Sequence, residues 1–468
     1  MWLRTDFVVA KRIRRLTMPI DLSPAGLPSA YPASGLRFWP WLVGWVLCCG
    51  FGAATVLLMW PTGAPASGAN FWLCLLGIPN AVYFMALAIA RAVYEADYLY
   101  ARFRNRHRTA WLKNRIRAAQ RPLQVLGAGY CLPLGVMSLG ELLAGKTSLL
   151  EARSPRAGTG RVLHTRFADD DLLLQKDENE HMEVDDESAE EETADGEHTD
   201  VTETTEATTS PAPMPPVVRV IEHALAPLVE SLSKLSQHGP KYAPAVRVLS
   251  TPETAGQRVE QIEQALLRAG LDTLECQAVA AADGLMVADA WLDAGEQRPL
   301  LVVAAEWHDE PPPGSTEGAV AVLLGPGLFQ LPEPVKVIGT LHRPVMDDLE
   351  GVEAVLSNSM LWGQADAATV ASVWISGLDN AHDGKLLPAL RGTGLASVAK
   401  QEAQRRPDRV LGHAGAAGGW LSIAAAIEAD AGTQLILHGP STTSTVQAAI
   451  LHVTDPIKHE ESDDERTQ

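Results

Sequence analysis

The chain has 468 residues, which is enough for a membrane anchor and one large domain, and its formal net charge is −19 at pH 7. The charge is concentrated between Asp169 and Glu206, where 18 acidic residues face a single lysine. An acidic chain argues against nucleic acid as a ligand, because phosphate binding needs a basic surface. Five cysteines without a Cys-x-x-Cys pair argue against a disulfide framework and against zinc, so no metal and no cofactor is predicted.

Two long apolar runs follow the basic N-terminal segment, residues 1–35, and occupy residues 38–60 and 71–90 within the region 36–92. Each has about 20 residues, the length that crosses a bilayer as a helix. Trp39, Trp60 and Trp72 stand at their ends, as interfacial aromatic residues do. The runs predict two transmembrane helices and hence the lipid bilayer as a partner. The alternative is a buried hairpin in a soluble core.

Basic residues crowd the outer ends of this pair, whereas the connecting loop carries no charge. The positive-inside rule then predicts a two-helix protein of a bacterial inner membrane with both termini in the cytoplasm. Residues 93–121 are predicted to form a basic juxtamembrane helix. This helix either lies on anionic headgroups or is simply the flank of the second span, and both interpretations stay open.

Residues 167–216 are acidic, rich in Thr and Ser, and nearly free of aromatic residues. Such a segment buries too little apolar surface to offset its ordering entropy, so a disordered insertion is predicted. It lacks the ligand spacing of a calcium loop, which favours a solvated spacer over a metal site. The charged tail, residues 455–468, is predicted to fray.

Residues 122–166 and 217–454 alternate apolar strand patterns with helical patterns, which predicts one layered α/β domain. The predicted helices are Val217–Leu235, Thr254–Ala269, Ala278–Ala294, Leu349–Trp362, Lys385–Val398 and a buried helix after His413. The first predicted strand begins at Leu123. The others are Ala245–Leu249, Leu300–Ala305, Ala319–Leu324, Val335–Leu341, Ala371–Ile375, Gln434–Leu437 and Ser444–His452.

The segment Gly412-His413 followed by AGAAGG resembles the Gly-His-Thr-x-Gly-Ala-Ala-Gly segment of β-ketoacyl synthases, enzymes of thiolase-like fold that condense acyl thioesters. An opening strand with Gly127 and Gly129, then Pro133-Leu134-Gly135 and the Leu-Leu-Ala-Gly-Lys turn at 142–146, is similar to the start of that family. The resemblance implies a thiolase-like layered α/β/α domain behind the two-helix transmembrane hairpin. It also implies an acyl-thioester chemistry that depends on a cysteine nucleophile, two imidazoles or an imidazole and an amide, and a lysine.

Several of these groups are replaced. Cys276 is the candidate nucleophile by resemblance, but its neighbours differ from the family's, and a free cysteine is more often a small buried hydrophobe. Ser376 stands where the family has its first histidine, and Asp408 stands where it has its lysine. His413 remains, ahead of a helix N-terminus that favours an anion or a carbonyl oxygen. A histidine in that place is more often structural than catalytic.

The replaced residues favour a non-catalytic, membrane-tethered ketosynthase-like protein that binds a protein partner as an adaptor, chaperone or assembly factor. An adaptor that loads an effector on to a secretion machine fits the layout, and the resemblance implies homodimers. The alternative is an acyl-thioester condensing or acyl-transfer enzyme that uses Cys276 and His413. A lipid- or ion-handling membrane protein is disfavoured, because neither span contains a charge.

Overall fold

The computed structural model describes residues 23–32, 37–135, 137–145, 148–168, 214–271, 274–328, 330–333, 335–429, 431–440 and 444–454. Within these, the chain divides into two compact units, one from Ile20 to Ala118 and one that comprises the remaining residues. The predictions for residues 1–22, for most of the acidic insertion and for the tail from residue 455 lie outside the described residues.

The first unit is a helical hairpin. Helix α1 (Phe38–Met59) and helix α2 (Ala69–Ala119) are both long and apolar enough to cross a membrane, and α2 contains a π-helical turn at Leu73–Gly77. Their apolar windows are 0 % and 6 % buried within the protein. This contradicts the alternative of a buried core hairpin, since a core helix hides its apolar face.

Polar contacts inside the hairpin hold the two helices together. The indole Nε1 of Trp45 donates to Oδ1 of Asn80 at 2.8 Å, and the hydroxyl of Tyr83 donates to the carbonyl of Trp41 at 2.7 Å. Helix α2 continues without a break from its apolar part into the basic segment. There the side-chain amide of Asn105 accepts from the backbone N–H of Ser29 and donates to its carbonyl, so part of the N-terminal segment lies along this helix.

The second unit contains fourteen strands in its described part, eleven of them in one large sheet. They are β1 (Leu123–Cys131), β2 (Glu151–Arg153), β3 (Val162–Thr165), β4 (Ala245–Ser250), β5 (Cys276–Ala280), β6 (Leu300–Glu306), β7 (Ser315–Thr316), β8 (Gly318–Pro326), β9 (Gly339–Leu341), β10 (Val345–Asp348), β11 (Val370–Ser376), β12 (Gln404–Arg405), β13 (Gly432–His438) and β14 (Thr445–Val453).

The helices of this unit are α3 (Leu139–Gly145), α4 (Pro216–Leu225), α5 (Val229–Gln237), α6 (Ala255–Arg268), α7 (Met286–Ala294), α8 (Val352–Trp362), α9 (Asp383–Gly392), α10 (Pro407–Val410) and α11 (Gly418–Ala429).

The large sheet consists of two halves with the same internal order. The first half runs β5-β4-β6-β8-β1, and the second runs β12-β11-β13-β14-β9, while the eleventh strand, β10, pairs with β14 outside this order. In each half the first three strands of this order are parallel, and the fourth is antiparallel to both of its neighbours. The halves join where β1 and β9 pair antiparallel, with Val125 opposite Gly339. The domain is therefore an internal duplication in architecture.

Two clusters of buried apolar side chains define the layers. The outer cluster joins α4, α5 and α6 to one face of the first half and includes Ile221, Leu232 and Val248. The inner cluster contains residues from both halves together with α7 and α11. On the other face of the second half, α8 packs against β14 and α9. Helices and sheet thus alternate in layers, which confirms the predicted layered α/β/α class of this unit.

Helix α11 occupies the middle of this arrangement. Every residue from Gly418 to Ile427 is buried, and the helix contacts strands of both halves. A helix buried on all sides needs small residues wherever a sheet backbone approaches it. The glycines and alanines of this run satisfy that requirement, which explains the composition of the segment.

Several predicted boundaries are wrong. The predicted helix Val217–Leu235 is two helices, separated by a 3-10 turn that contains Pro227, since proline interrupts an α-helix. The predicted helix Ala278–Ala294 is β5 followed by a turn and α7. Phe167 does not belong to the solvated insertion, because it is buried against Trp307 and its backbone N–H donates to Glu317.

Candidate functional site: the junction of the two halves

The candidate site lies where the two halves of the domain meet around α11, and its first part is the turn that connects β5 to α7. It forms a 3-10 turn at Ala281–Asp283 and then passes through Gly284, whose φ is +46°. The side-chain amide of Gln447 donates to the carbonyls of Ala282 and Asp283 at 3.2 and 3.1 Å, and its oxygen accepts from the N–H of Leu285 at 2.7 Å. These bonds hold the turn in one conformation.

Helix α11 holds the same turn from the other side. The indole Nε1 of Trp420, which is fully buried, donates to the carbonyl of Gly284 at 3.0 Å. A side chain at Gly284 would meet Gln447 at 2.5 Å and would sit in the left-handed region that favours glycine. The backbone of the turn is thus committed to Gln447 and Trp420, and the Leu285 N–H is not free to bind an oxyanion.

Cys276 lies elsewhere. It is the first residue of β5, so helix α7 begins ten positions later, at Met286, and the expectation that Cys276 directly precedes a helix is wrong. Its side chain packs against the outer cluster. Burial, together with the charge of Glu263, raises the pKa of this thiol to about 12. The sulfur is therefore protonated at neutral pH, which disfavours it as a nucleophile.

Cys131, the second domain cysteine, is in the same situation. It ends β1, packs against the outer cluster, and burial raises its pKa to about 12. His413, in contrast, lies between Leu411 and Ala414, which belong to the inner cluster. Cys276 and His413, the two residues of the enzyme alternative, are thus associated with different clusters of the domain.

Ser376 and His438 form a buried pair at the ends of neighbouring parallel strands. They are in register between β11 and β13, and the Ser376 hydroxyl lies 3.1 Å from Nδ1 of His438. Both residues are almost completely buried. Burial lowers the pKa of His438 to about 4, so its ring is neutral at physiological pH.

Three glycines make room for the His438 ring. A Cβ at Gly419 would come within 3.0 Å of the ring, one at Gly284 within 3.1 Å, and one at Gly418 within 3.4 Å. Nε2 of His438 has no hydrogen-bond partner within the described part of the chain. The ring therefore fills the space between the β5–α7 turn and the start of α11.

Asp408 and His413 form the exposed border of the site. The carboxylate of Asp408 accepts from the N–H of Gly377 at 2.5 Å and lies 3.2 Å from Nδ1 of His413. The backbone of His413 is also fixed, since its N–H donates to the carbonyl of Gly314 at 2.7 Å. The hydrogen bond with Asp408 raises the pKa of His413, although burial acts in the opposite direction. Asp408 and His413 therefore connect their own loop to the loops that contain Gly314 and Gly377.

The predicted anion site at the helix N-terminus is occupied by the protein itself. Oε1 of Glu306, the last residue of β6, accepts from the N–H of Ala416 at 2.7 Å. A side chain at Gly415 would collide with that oxygen, so only glycine admits the carboxylate so close to the backbone. Glu306 thus satisfies a donor that the resemblance would leave for an anion or carbonyl oxygen.

The structure thus brings together Ser376, Asp408 and His413 and separates Cys276 from them. Sequence reasoning missed Glu306, His438 and Gln447. A signal was present, because each is a polar residue within or at the end of an otherwise apolar strand pattern. Among the described residues, no group of three His, Cys, Asp or Glu side chains is placed to hold a metal ion.

No family model and no curated protein matches this chain. Solved structures to which it is similar include 3-oxoacyl-[acyl-carrier-protein] synthase III from Aquifex aeolicus, at 13 % identity and a TM-score of 0.39, covering 70 % of this chain and 99 % of that one. A ketosynthase from module 1 of the bacillaene synthase of Bacillus amyloliquefaciens is 13 % identical, with a TM-score of 0.46 and coverage of 73 % and 77 %.

The ishigamide ketosynthase/chain length factor is 14 % identical, with a TM-score of 0.43 and coverage of 71 % and 99 %. The chain has a mixed α/β fold, and its likeness to these proteins concerns the fold alone. In the chain, this domain follows two helices that are long and apolar enough to cross a membrane.

Proposed function

We propose that this protein is a non-catalytic, membrane-tethered ketosynthase-like protein that binds a protein partner as an adaptor, chaperone or assembly factor. The observation that supports this best is the packing at the junction of the halves. His438 fills the space beside the β5–α7 turn, and Gln447 and Trp420 bind the backbone of that turn. A condensing enzyme would need an open site and an ionised thiol at this place.

The apolar hairpin supports the membrane part of the proposal. In the proposed topology, α1 and the first part of α2 cross the inner membrane of a bacterium, and both termini lie in the cytoplasm. The partner is a protein, and an effector of a secretion machine is the candidate that the layout of the chain favours. Self-association as a homodimer is part of the same proposal.

A chemical trap tests the absence of catalysis. The full-length protein in mild detergent is incubated with an acyl thioester or with a cerulenin-type thiol trap and examined by intact-mass and peptide mass spectrometry. We expect no adduct on Cys276 or Cys131 under native conditions, because both thiols are protonated and partly buried, and labelling of both after denaturation. An adduct in the native protein that disappears in Cys276→Ala would overturn the proposal in favour of the enzyme alternative.

A second experiment tests the binding role. Photo-crosslinking in native membranes, followed by mass spectrometry, is expected to give a specific protein adduct that requires the folded domain. The matched control is the variant Trp420→Ala, in which the middle layer is disrupted. Absence of any crosslinked protein, together with a native thiol adduct, would eliminate the adaptor proposal.

A further inference from the structure

Helix α2 continues beyond its apolar part as a basic extension that ends at Ala119. Part of the N-terminal segment covers one face of this extension, because the backbone N–H and carbonyl of Ser29 are both bound to the side chain of Asn105. Ala101, on the same face, is only 3 % exposed. This face is therefore already occupied by the protein itself.

The opposite face of the extension is exposed and carries a regular row of residues. Their spacing alternates between three and four positions, which is the repeat by which one helix packs along another. Val93, Tyr100 and Phe103 are its large, mainly apolar members, and they are 57 %, 66 % and 61 % exposed. The row, called the seam below, consists of Val93, Ala96, Tyr100, Phe103, His107 and Ala110.

Positive charges border the seam on both sides. Arg104 lies on one side of it and Arg106 and Lys113 lie on the other, and all three side chains are exposed. Among the ion pairs of the described residues, the extension contributes only that of Arg91 with Glu95, at 2.6 Å. A helix that packed on the seam would therefore meet positive charge that no carboxylate of the described chain offsets.

Lipid headgroups suit this face poorly. In the proposed topology the span of α2 ends near Ala90, so the helical rise places Tyr100 and Phe103 about 15 and 20 Å above the hydrocarbon core. The headgroup layer is only about 5–8 Å thick. Charges are screened over about 8 Å at physiological salt. Most of the seam therefore faces water rather than lipid.

Two occupants supplied by this chain also fit poorly. The acidic run at residues 169–206 would bring carboxylates, but its large apolar residues are confined to positions 172–174, 182, 184 and 201 and do not repeat at three and four positions. A second copy would place its own Arg104 and Arg106 against those of the first. Like charges along a pair of helices oppose association.

We infer that the seam and its bordering cations form a docking surface for an amphipathic, acidic helix of the partner protein. Apolar residues of that helix would pack against Val93, Tyr100 and Phe103. Its carboxylates would lie beside Arg104 and Arg106, where they supply charge complementarity. The inference deepens the proposed binding role and rests on it, because it assigns the surface and the chemistry of the partner.

The test uses the full-length protein in nanodiscs of zwitterionic lipid. The probe is a fluorescent helical peptide with leucines at alternating three- and four-residue spacing and glutamates on both flanks. Two matched peptides carry either the same residues in scrambled order or lysine in place of glutamate. We expect only the first peptide to bind, with an affinity that falls as salt is added. A photoreactive group in this peptide should label residues 93–110.

Two matched pairs of variants test the apolar and the charged parts of the surface. Phe103→Ala removes an exposed ring and should weaken binding about tenfold, whereas Phe103→Leu keeps an apolar side chain and should not. Arg104→Glu reverses a charge beside the seam and should weaken binding about tenfold. Arg102→Glu, on the side of the helix away from the seam, should have an effect below about twofold. All three positions are exposed, so the helix is retained.

Four results would overturn the inference. Equal binding of the ordered and the scrambled peptide would mean that charge alone explains it. Binding that appears only after deletion of residues 169–206 would assign the seam to the acidic run, and binding that is lost in nanodiscs of anionic lipid would assign it to headgroups. A dimer in light scattering that Phe103→Ala dissociates would assign it to a second copy.

The partner crosslink described above separates this inference from the proposed function. If the crosslinked partner were retained in both Phe103→Ala and Arg104→Glu, the seam would not be its docking surface, and the adaptor proposal would stand. If the unaltered protein gave no crosslinked partner at all, the adaptor proposal itself would fail. We expect the crosslink in the unaltered protein and in Phe103→Leu, and its loss in Phe103→Ala and Arg104→Glu.

Discussion

The two halves of the sheet share one strand order but differ in how the outermost strand of each reaches the middle layer. In the first half, β5 reaches α7 through a short turn, residues 281–285, and no strand in the described residues pairs with its outer side. In the second half, β12 has two residues and reaches α11 through residues 406–417, which contain Asp408 and His413. The first crossover is a short turn that is held by hydrogen bonds. The second contains Asp408 and His413, which connect neighbouring loops.

The two crossovers therefore differ in how they are held in place. The short crossover is held by Gln447 and Trp420 from the second half, so the junction is rigid and closed. Residues of α7, the helix that follows this turn, line a cleft that contains charged side chains. Substitutions at four positions of the second half, Trp420, His438, Gln447 and His413, test this comparison, and their expected effects decrease in that order.

Trp420→Ala should have the largest effect, because it removes a fully buried ring and the bond from α11 to Gly284. We expect a loss of about 3–5 kcal/mol in the free energy of unfolding. The control Trp420→Phe keeps most of the apolar volume and should cost much less. Denaturant titration in mild detergent, followed by near-UV circular dichroism, measures both. Equal losses in the two variants would mean that the hydrogen bond, not the ring, stabilises the junction.

His438 should make the domain sensitive to acid. Its pKa is lowered to about 4 by burial, whereas the unfolded chain has the ordinary value near 6.5, so the unfolded state binds the extra proton between these values. Stability is therefore complete above about pH 6.5 and falls as the pH drops towards 4, by up to about 3 kcal/mol. His438→Gln should flatten this part of the stability profile.

The matched control for this experiment is His342→Gln. Burial and the nearby His452 also lower the pKa of His342 to about 4, so it contributes a slope of the same sign from a different part of the domain. The two variants should each remove part of the acid loss, and their effects should add. An unchanged acid profile in His438→Gln would show that its ring is not buried as described.

Gln447→Leu should cost about 2–3 kcal/mol, because two carbonyls and one N–H of the β5–α7 turn lose their partner. Hydrogen exchange should increase at Leu285 in particular. The exposed Gln277, on β5, provides the control, since Gln277→Leu breaks none of these bonds. If the exchange rate of the Leu285 N–H did not change, the hydrogen bonds of Gln447 would not be what stabilises the turn.

The Asp408–His413 pair should have the smallest effect, since the His413 side chain is 45 % exposed. Its pKa is raised by Asp408, so its contribution is present below about pH 6.5 and is lost as the pH rises through the raised value. His413→Gln should remove a weak dependence of stability on pH in the neutral range. If the stability of His413→Gln still depended on pH in this range, a group other than His413 would be responsible.

The sequence predicted the membrane-length helices, the layered class and most core elements, because apolar periodicity marks them directly. It failed at β5, where the alanine-rich pattern from Ala278 fits a helix as well as a strand. Only pairing with β4 makes it a strand. It also failed for His438 and Glu306, since their partners Ser376 and Ala416 lie 62 and 110 positions away in the chain.

By itself, the sequence determined which stretches are apolar enough to leave water and where glycine and proline interrupt them. These are properties of local composition. The tertiary structure alone decided that a carboxylate accepts a hydrogen bond at the helix terminus and that a neutral imidazole fills the junction. These depend on contacts between residues far apart in the chain, which no local pattern records.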